Sequence, residues 1–197
     1  MVGKASRLIV AFGLAALAAA AHAQTYSVRG ACRDGFAHGV YELRDADGKL
    51  RTQGAFNRGA RTSSFIYWMS SGVRVAHVPY DDGVVSGTVA LWYSQTLPTR
   101  ESRQKLEAAY TKGQRNGLSR AWFPNGRPRG EYVYENGKLV SAKAWNAFGV
   151  ALADKAASEQ ATRDAEEDTK YFASLDAIVE ANLPTCEPAA NGDGTKS

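Results

Sequence analysis

The 197-residue chain carries 24 Lys and Arg, 20 Asp and Glu, two cysteines and three histidines. This length is enough for one domain, and neither His38 nor His77 has metal-ligand spacing with a cysteine, which argues against a zinc site. Charge is unevenly distributed, because residues 24–149 hold 18 Lys and Arg against 10 Asp and Glu, whereas residues 150–197 hold 4 against 10. A basic body and an acidic tail can interact internally, or the body can face an anionic partner.

The first 23 residues have the pattern of a secretory signal peptide. Lys4 and Arg7 form a charged start, residues 8–21 are apolar, and Ala21-His22-Ala23 is a small-x-small cleavage site. The apolar run is short for a membrane span. We therefore expect an exported protein, periplasmic or secreted, that is not transmembrane after cleavage and does not bind nucleic acid.

Glycines recur at a fixed spacing through the body of the chain. Gly35, Gly59 and Gly83 are 24 residues apart, and Gly113 and Gly137 repeat this separation. Within a unit the glycines step by 13 and then by 11 residues. A fixed period of this length indicates a stacked-repeat architecture.

Two short apolar and aromatic runs lie between the glycines of each unit. Runs such as residues 64–69 and 88–93 are rich in aromatic and β-branched residues, which is typical of strands. Asn-Gly and Asp-Gly favour hairpin turns because both central residues can take positive φ. Such pairs occur at Asp47-Gly48, Asp82-Gly83, Asn125-Gly126 and Asn136-Gly137. We predict a mainly β fold, in which residues 24–149 form a single-layer antiparallel sheet of successive β-hairpins, followed by a C-terminal α-helix.

One unit is irregular. Gly83 and Gly113 are 30 residues apart, and the extra residues lie around 97–102, where Pro98 interrupts strand pairing. We predict a longer loop there, at the edge of the sheet.

The chain changes character after Gly149. Residues 151–182 contain neither glycine nor proline, and Pro184 provides a stop signal. An apolar stripe has helical spacing and comprises Leu152, Ala156, Tyr171, Leu175, Ile178 and Val179. Residues 158–169 are nearly all polar, which is typical of a solvated segment or a break. We predict an acidic helix over residues 150–183 that packs on the sheet through its apolar stripe, and a partly disordered tail over 184–197.

The two cysteines, Cys32 and Cys186, lie near opposite ends of the predicted folded region. In an oxidising compartment a count of two predicts one disulfide, and two separate thiols are the alternative. Cys32 stands three residues before Gly35, in the slot where later units carry Phe or Tyr. The disulfide is therefore expected at one end of that aromatic row.

The repeat resembles the bacterial variant of the MORN repeat. The likeness is clearest over residues 110–126, where Tyr110 is followed by Gly113, Gly117, Trp122 and Asn125-Gly126, and it continues over residues 130–139. Proteins built from this repeat include the YwqK-family antitoxins, many of them exported. The resemblance implies a single-layer hairpin sheet that serves as a scaffold for protein or membrane contacts, and it implies no reaction.

Two aromatic rows follow from the repeat. The first row, three residues before the unit-starting glycines, comprises Phe56, Tyr80, Tyr110 and Tyr134. The second, near the middle of each unit, comprises Trp68, Trp92, Trp122 and Trp145. A stacked repeat must bury a continuous apolar face, and alternate side chains of a strand point to opposite faces. We expect the tryptophan row to pack in the core, with an exposed row that stacks on sugar, peptide or protein as the alternative.

Basic residues are concentrated in the irregular unit and the unit after it. Four of them, Arg115, Arg120, Arg127 and Arg129, complete a candidate binding face with the tryptophans. These arginines could hold phosphates of lipid headgroups, or they could form a solvated face or a seat for the acidic helix.

No catalytic motif is evident. His38 and His77 lack a nucleophile in a recognisable motif, and the glycines do not form a phosphate-binding loop. We predict a protein that is not an enzyme, has no metal or other cofactor, and acts as an exported scaffold for a protein partner in the cell envelope. The alternative is a surface module that binds glycan or anionic lipid headgroups.

Overall fold

The computed structural model of this protein describes residues 26–94 and 103–187, which form eleven strands and one helix. The strands are β1 (Ser27–Arg33), β2 (Phe36–Arg44), β3 (Leu50–Asn57), β4 (Ala60–Trp68), β5 (Arg74–Asp81), β6 (Val84–Val85), β7 (Gly87–Trp92), β8 (Gln104–Thr111), β9 (Gln114–Trp122), β10 (Pro128–Glu135) and β11 (Lys138–Ala144). The helix is α1 (Asp154–Glu180).

The strands follow one another across a single antiparallel sheet. The order is β1-β2-β3-β4-β5-β7-β8-β9-β10-β11, and the two-residue β6 pairs with β5 beside β7. Every connection joins neighbours, as expected for hairpins closed by short turns. The predicted fold class is confirmed, and the sheet begins at Ser27, before the first glycine of the repeat.

Two kinds of turn alternate along the chain. At Asp82-Gly83 and Asn136-Gly137 both residues have positive φ, between 47° and 80°, as a two-residue type I′ hairpin requires. At Gly48 and Gly126 only the glycine has positive φ, because Asp47 and Asn125 are not in the left-handed region. The expectation of one turn geometry for all four pairs is therefore wrong. In these two longer loops the glycine N–H donates to the backbone oxygen three residues earlier, that of Asp45 or of Phe123.

The helix covers one face of the sheet, which we call the covered face. The strand side chains that are buried on the covered face include Tyr41, Phe56, Phe65, Tyr67, Tyr80, Leu91, Leu106, Tyr132 and Tyr134. We call the opposite face, formed by the alternate residues of the same strands, the open face. None of the described elements packs across the open face.

Helix α1 runs across the strands rather than along them. Near its start, Ala157 and Ala161 pack against Tyr132 and Ala144 of the last two strands. Near its end, Leu175 and Val179 join the larger cluster formed by β2 to β8. A helix of 27 residues is about 40 Å long, and ten strands span about 43 Å. One helix therefore crosses nearly the whole sheet.

The chain after the helix returns to the first strand. Cys186 forms a disulfide with Cys32 of β1, with 5.6 Å between the Cα atoms, and this predicted pairing is confirmed. The helix is continuous through residues 158–169, so of the two interpretations of this polar segment, the break is excluded. Such a cysteine pair is typical of an oxidising compartment outside the cytoplasm.

Several predicted segments lie outside the described residues: the signal peptide over 1–23, the loop around 97–102 and the tail beyond residue 187. Within 26–94 and 103–187, no helix has the length and apolar character needed to cross a bilayer.

Candidate functional site

The four tryptophans lie at one end of the sheet, on the open face. Three of them are the last residues of their strands: Trp68 of β4 pairs with Arg74, Trp92 of β7 with Gln104, and Trp122 of β9 with Pro128. Trp145 follows β11 and forms a bridge with Ala151. One tryptophan thus stands at the end of each of four successive hairpins.

The orientation of this row follows from its neighbours in sequence. Tyr67, Leu91, Ala121 and Ala144, each of which directly precedes a tryptophan, are buried on the covered face. Because successive side chains of a strand alternate, the tryptophans point to the open face, where all four are half-buried. The expectation that the tryptophan row forms the core is wrong. The core contains the Phe and Tyr row, with Phe56, Tyr80 and Tyr134 buried and Tyr110 partly buried.

Polar and cationic groups flank the tryptophan row. The groove beside Trp68 has a volume of about 530 Å³. Its walls are Lys49, Leu50, Trp68, Ser70, Ser71 and Gly72. The guanidinium carbon of Arg74 lies 4.0 Å from the centre of the Trp92 ring. The row therefore presents indole rings together with hydroxyl and cationic side chains.

A second feature of the open face is aliphatic. Four large aliphatic side chains are exposed there, each next to a residue that is buried on the covered side or packs there: Val40, Val84, Leu118 and Val140. They lie on β2, β6, β9 and β11, toward the type I′ turns and the middle of the strands and away from the tryptophan row. We call these four residues the aliphatic patch.

The structure divides the four candidate arginines between the two faces. Arg115 and Arg129 lie under helix α1, whereas Arg120 and Arg127 are exposed. Arg120 pairs with Glu107 at 3.6 Å, and Arg127 donates to the backbone oxygen of Phe148 at 2.8 Å. The four arginines and four tryptophans of the predicted binding face therefore do not form one surface. Two of the arginines, Arg115 and Arg129, belong instead to the surface on which the acidic helix packs.

Buried ion pairs join the middle of α1 to the sheet. Arg115 donates to Asp168 at 2.8 Å, and Lys105 lies 3.6 Å from the same carboxylate. One turn earlier, Asp164 accepts hydrogen bonds from Arg129, and from Tyr132 at 2.7 Å. Both aspartates have only 3% of their surface exposed. The buried positions of α1 are 157, 161, 164, 168, 175 and 179. The two aspartates therefore occupy positions at which apolar side chains are expected.

A third pairing anchors the end of the helix. Arg61 donates to Asp176 and, at 2.8 Å, to Glu180, and it lies 5.2 Å from the ring centres of both Phe65 and Tyr80. Burial lowers the pKa of Arg61, but the Asp176 charge and hydrogen bond outweigh that effect and hold the pKa above its ordinary value. Burial, with Asp176 nearby, raises the pKa of Tyr80 to about 12. These groups serve to dock the helix.

One nucleophile and one base meet on the open face, although their spacing in the sequence forms no recognisable motif. Ser64 Oγ lies 2.9 Å from His77 Nε2 across β4 and β5. Burial and the Arg74 charge lower the pKa of His77, which favours the neutral imidazole. Acyl transfer also needs a pocket and donors for an oxyanion, and neither residue lines any of the grooves described on the 26–94 and 103–187 surface. We interpret the pair as a cross-strand hydrogen bond.

Ligands for a metal are not clustered in the part of the chain that the structure describes, where no three His, Cys, Asp or Glu side chains converge on a cation site. No protein-family model matches this sequence, and no curated protein is significantly similar to it.

Proposed function

We propose that this protein is an exported, non-catalytic repeat scaffold that binds another protein in the cell envelope through the open face of its sheet. The observation that carries this proposal is the aliphatic patch on a face that no described element covers. Exposed apolar side chains gathered on one face are typical of interaction sites. The covered face is already occupied by α1.

The disulfide and the repeat pattern support the cellular setting. A Cys32–Cys186 pair closes the sheet and its helix into one loop, which suits an oxidising compartment. The signal-like first 23 residues agree with export. The resemblance to bacterial MORN-type repeats agrees with a scaffold role, and membership of that family is part of the proposal.

Site-specific photo-crosslinking in cells that make the protein tests the partner surface. A photoreactive residue at position 84 or 118, in the aliphatic patch, is expected to give the same crosslinked protein species. Position 159, exposed on the far side of α1, is the matched control and should give none. Leu118→Glu should abolish the complex without altering the melting temperature, since Leu118 is exposed.

Two outcomes would contradict the proposal. Equal crosslinking from positions 84, 118 and 159 would show that contact is non-specific. Retention of the complex by Leu118→Glu and Val84→Glu variants would show that the partner uses another surface.

A further inference from the structure

We infer that the tryptophan row binds an extended β-1,4-linked oligosaccharide, so that the open face has a sugar-binding end as well as a protein-binding patch. This inference goes beyond the proposed function, because it uses different residues at the other end of the strands. Its ligand class follows from the chemistry and the spacing of the row.

The spacing of the tryptophans is set by the sheet. Trp68, Trp92 and Trp122 end β4, β7 and β9, and one strand separates each from the next in the sheet order. Two strand spacings are about 9.6 Å, which is comparable to the length of one disaccharide unit in an extended β-1,4-linked chain. Trp145 continues the row after β11, two strands beyond β9. One indole would therefore meet every second sugar ring.

The chemistry of the row suits sugars. The flat carbon-hydrogen face of a β-linked pyranose packs on an indole ring, while its hydroxyl groups need polar partners, and amphipathic tryptophan serves such mixed contacts. The groove beside Trp68 provides Ser70, Ser71 and Lys49 next to Leu50 and the indole. Its volume of about 530 Å³ lies within the range of small-ligand sites. At the next position along the row, the guanidinium of Arg74 lies over the Trp92 ring, 4.0 Å from its centre, so a sugar bound there would meet the guanidinium together with the indole.

The charges near the tryptophan row do not favour an anionic ligand. The only described ion pair of Lys49 is with Asp47 at 3.9 Å, so this corner carries both signs. Arg115 and Arg129 are occupied by α1, which removes half of the cationic set that an anionic surface would need. Stacking of neutral rings, rather than attraction of phosphates, is the interaction that this geometry favours.

The experiment follows the intrinsic fluorescence of the purified full-length chain. All four tryptophans of the sequence belong to the row, so any change in indole emission reports on it directly. Titration with β-1,4-linked N-acetylglucosamine oligomers is expected to give a saturable change. The affinity should rise from dimer to tetramer to hexamer by roughly two- to ten-fold at each step, because each added disaccharide reaches another ring. The α-1,4-linked glucose hexamer, which coils, should not bind.

Single variants separate the row from the rest of the surface. Trp92→Ala and Trp122→Ala should each weaken hexamer binding by roughly two- to ten-fold, whereas Val140→Ser on the same face should leave it unchanged. Binding that does not depend on chain length would overturn the inference, as would no emission change with the hexamer. Equal binding of a linear polyanion such as dextran sulfate would also overturn it, in favour of an electrostatic surface.

Discussion

The covered face and the open face consist of alternate residues of the same strands, and they differ in what their aromatic rings contact. On the covered face, rings pack edge to face with one another, as Tyr41, Phe56 and Phe65 do at centroid distances of 5.0 and 5.4 Å. On the open face, the tryptophans stand about two strands apart and keep part of their surface exposed. One repeat unit therefore supplies both a core position and a surface position.

The two faces also differ in how their charges are arranged. Arginines of the covered face are buried and paired with helix aspartates, as in Arg115 with Asp168. Arginines of the open face are exposed, and the pair between Arg120 and Glu107 is of the kind that contributes little. A charge change should therefore affect stability on the covered face and leave it nearly unchanged on the open face.

The largest expected effect comes from opening the disulfide that ties the helix to β1. Replacing Cys32 and Cys186 together with serine should lower the free energy of unfolding by about 4–5 kcal/mol, because a loop of 154 positions is no longer closed in the unfolded state. Denaturant titration of both proteins measures the difference. The emission of the folded state should not change, since all the tryptophans are on the open face. A reducing agent should destabilise the parent protein equally and leave the double variant unaffected.

The second largest loss of stability is expected from breaking the buried ion pair at the middle of the helix. Asp168→Ala leaves Arg115 buried without its carboxylate, which should cost about 3–5 kcal/mol. Glu159→Ala, exposed on the same helix, should change stability by less than about 0.5 kcal/mol. Thermal unfolding measures both.

A paired replacement decides what the salt bridge contributes. Replacing Arg115 with Met and Asp168 with Leu together should restore most of the loss, since an apolar pair of similar volume needs no desolvation. If the double variant is no more stable than Asp168→Ala, the network itself, including Lys105 and Tyr110, determines the stability.

The apolar stripe of the helix provides the next test. Leu175 is buried against the sheet, whereas Ile178 is only partly buried, although both belong to the predicted stripe. Leu175→Ala should cost about 2–4 kcal/mol and Ile178→Ala distinctly less. Thermal melts with a hydrophobic dye should show earlier dye binding for Leu175→Ala. Equal melting of both variants with the parent would mean that α1 is not held on the sheet.

The sequence predicted much of this architecture, because turn glycines and short aromatic runs are local signals. The 24-residue period predicted the hairpins, and the count of two cysteines predicted the Cys32–Cys186 disulfide. Which face of the sheet the helix covers could not be predicted from such local signals. Alternation shows that Tyr67 and Trp68 point in opposite directions, but it does not show which side the helix covers.

The helix was harder to interpret because its buried stripe contains charges. Asp164 and Asp168 occupy core positions, so the middle of α1 has the composition of a solvated segment. Asp164 lies three residues after Ala161, and Asp168 lies four residues after Asp164; this helical spacing was the available signal. Its meaning depended on Arg115 and Arg129, which are distant in sequence and meet the aspartates only in the folded sheet.

Alkaline pH should weaken the covered face selectively. Burial raises the pKa of Tyr80 and of Tyr132 to about 12, against about 10 for an unfolded chain. The neutral rings therefore stabilise the fold fully below about pH 10, and this contribution is lost as pH rises toward about 12. Each tyrosine should account for roughly 2–3 kcal/mol. Denaturant titrations across this range, with tyrosinate absorbance as a second probe, measure the loss, and Tyr132→Phe should reduce it. A pH-independent stability would show that these hydroxyls are solvated.

The smallest effect is expected on the open face, where adjacent residues allow a matched comparison. Leu91 is fully buried and Trp92 is its neighbour on the opposite side of the sheet. Leu91→Ala should cost about 2–5 kcal/mol, because it leaves a cavity in the core. Trp92→Ala removes a larger side chain, yet it should cost less, about 1–2 kcal/mol, because the ring is only half-buried and loses its partly buried area together with the contact to Arg74. Thermal melts of the two variants measure the difference.

A loss of equal size would mean that the tryptophan row supports the fold, and it would remove the reason for assigning that row to a ligand. A smaller loss of stability from truncating the larger side chain is what we expect of a surface residue that binds a ligand rather than supports the fold.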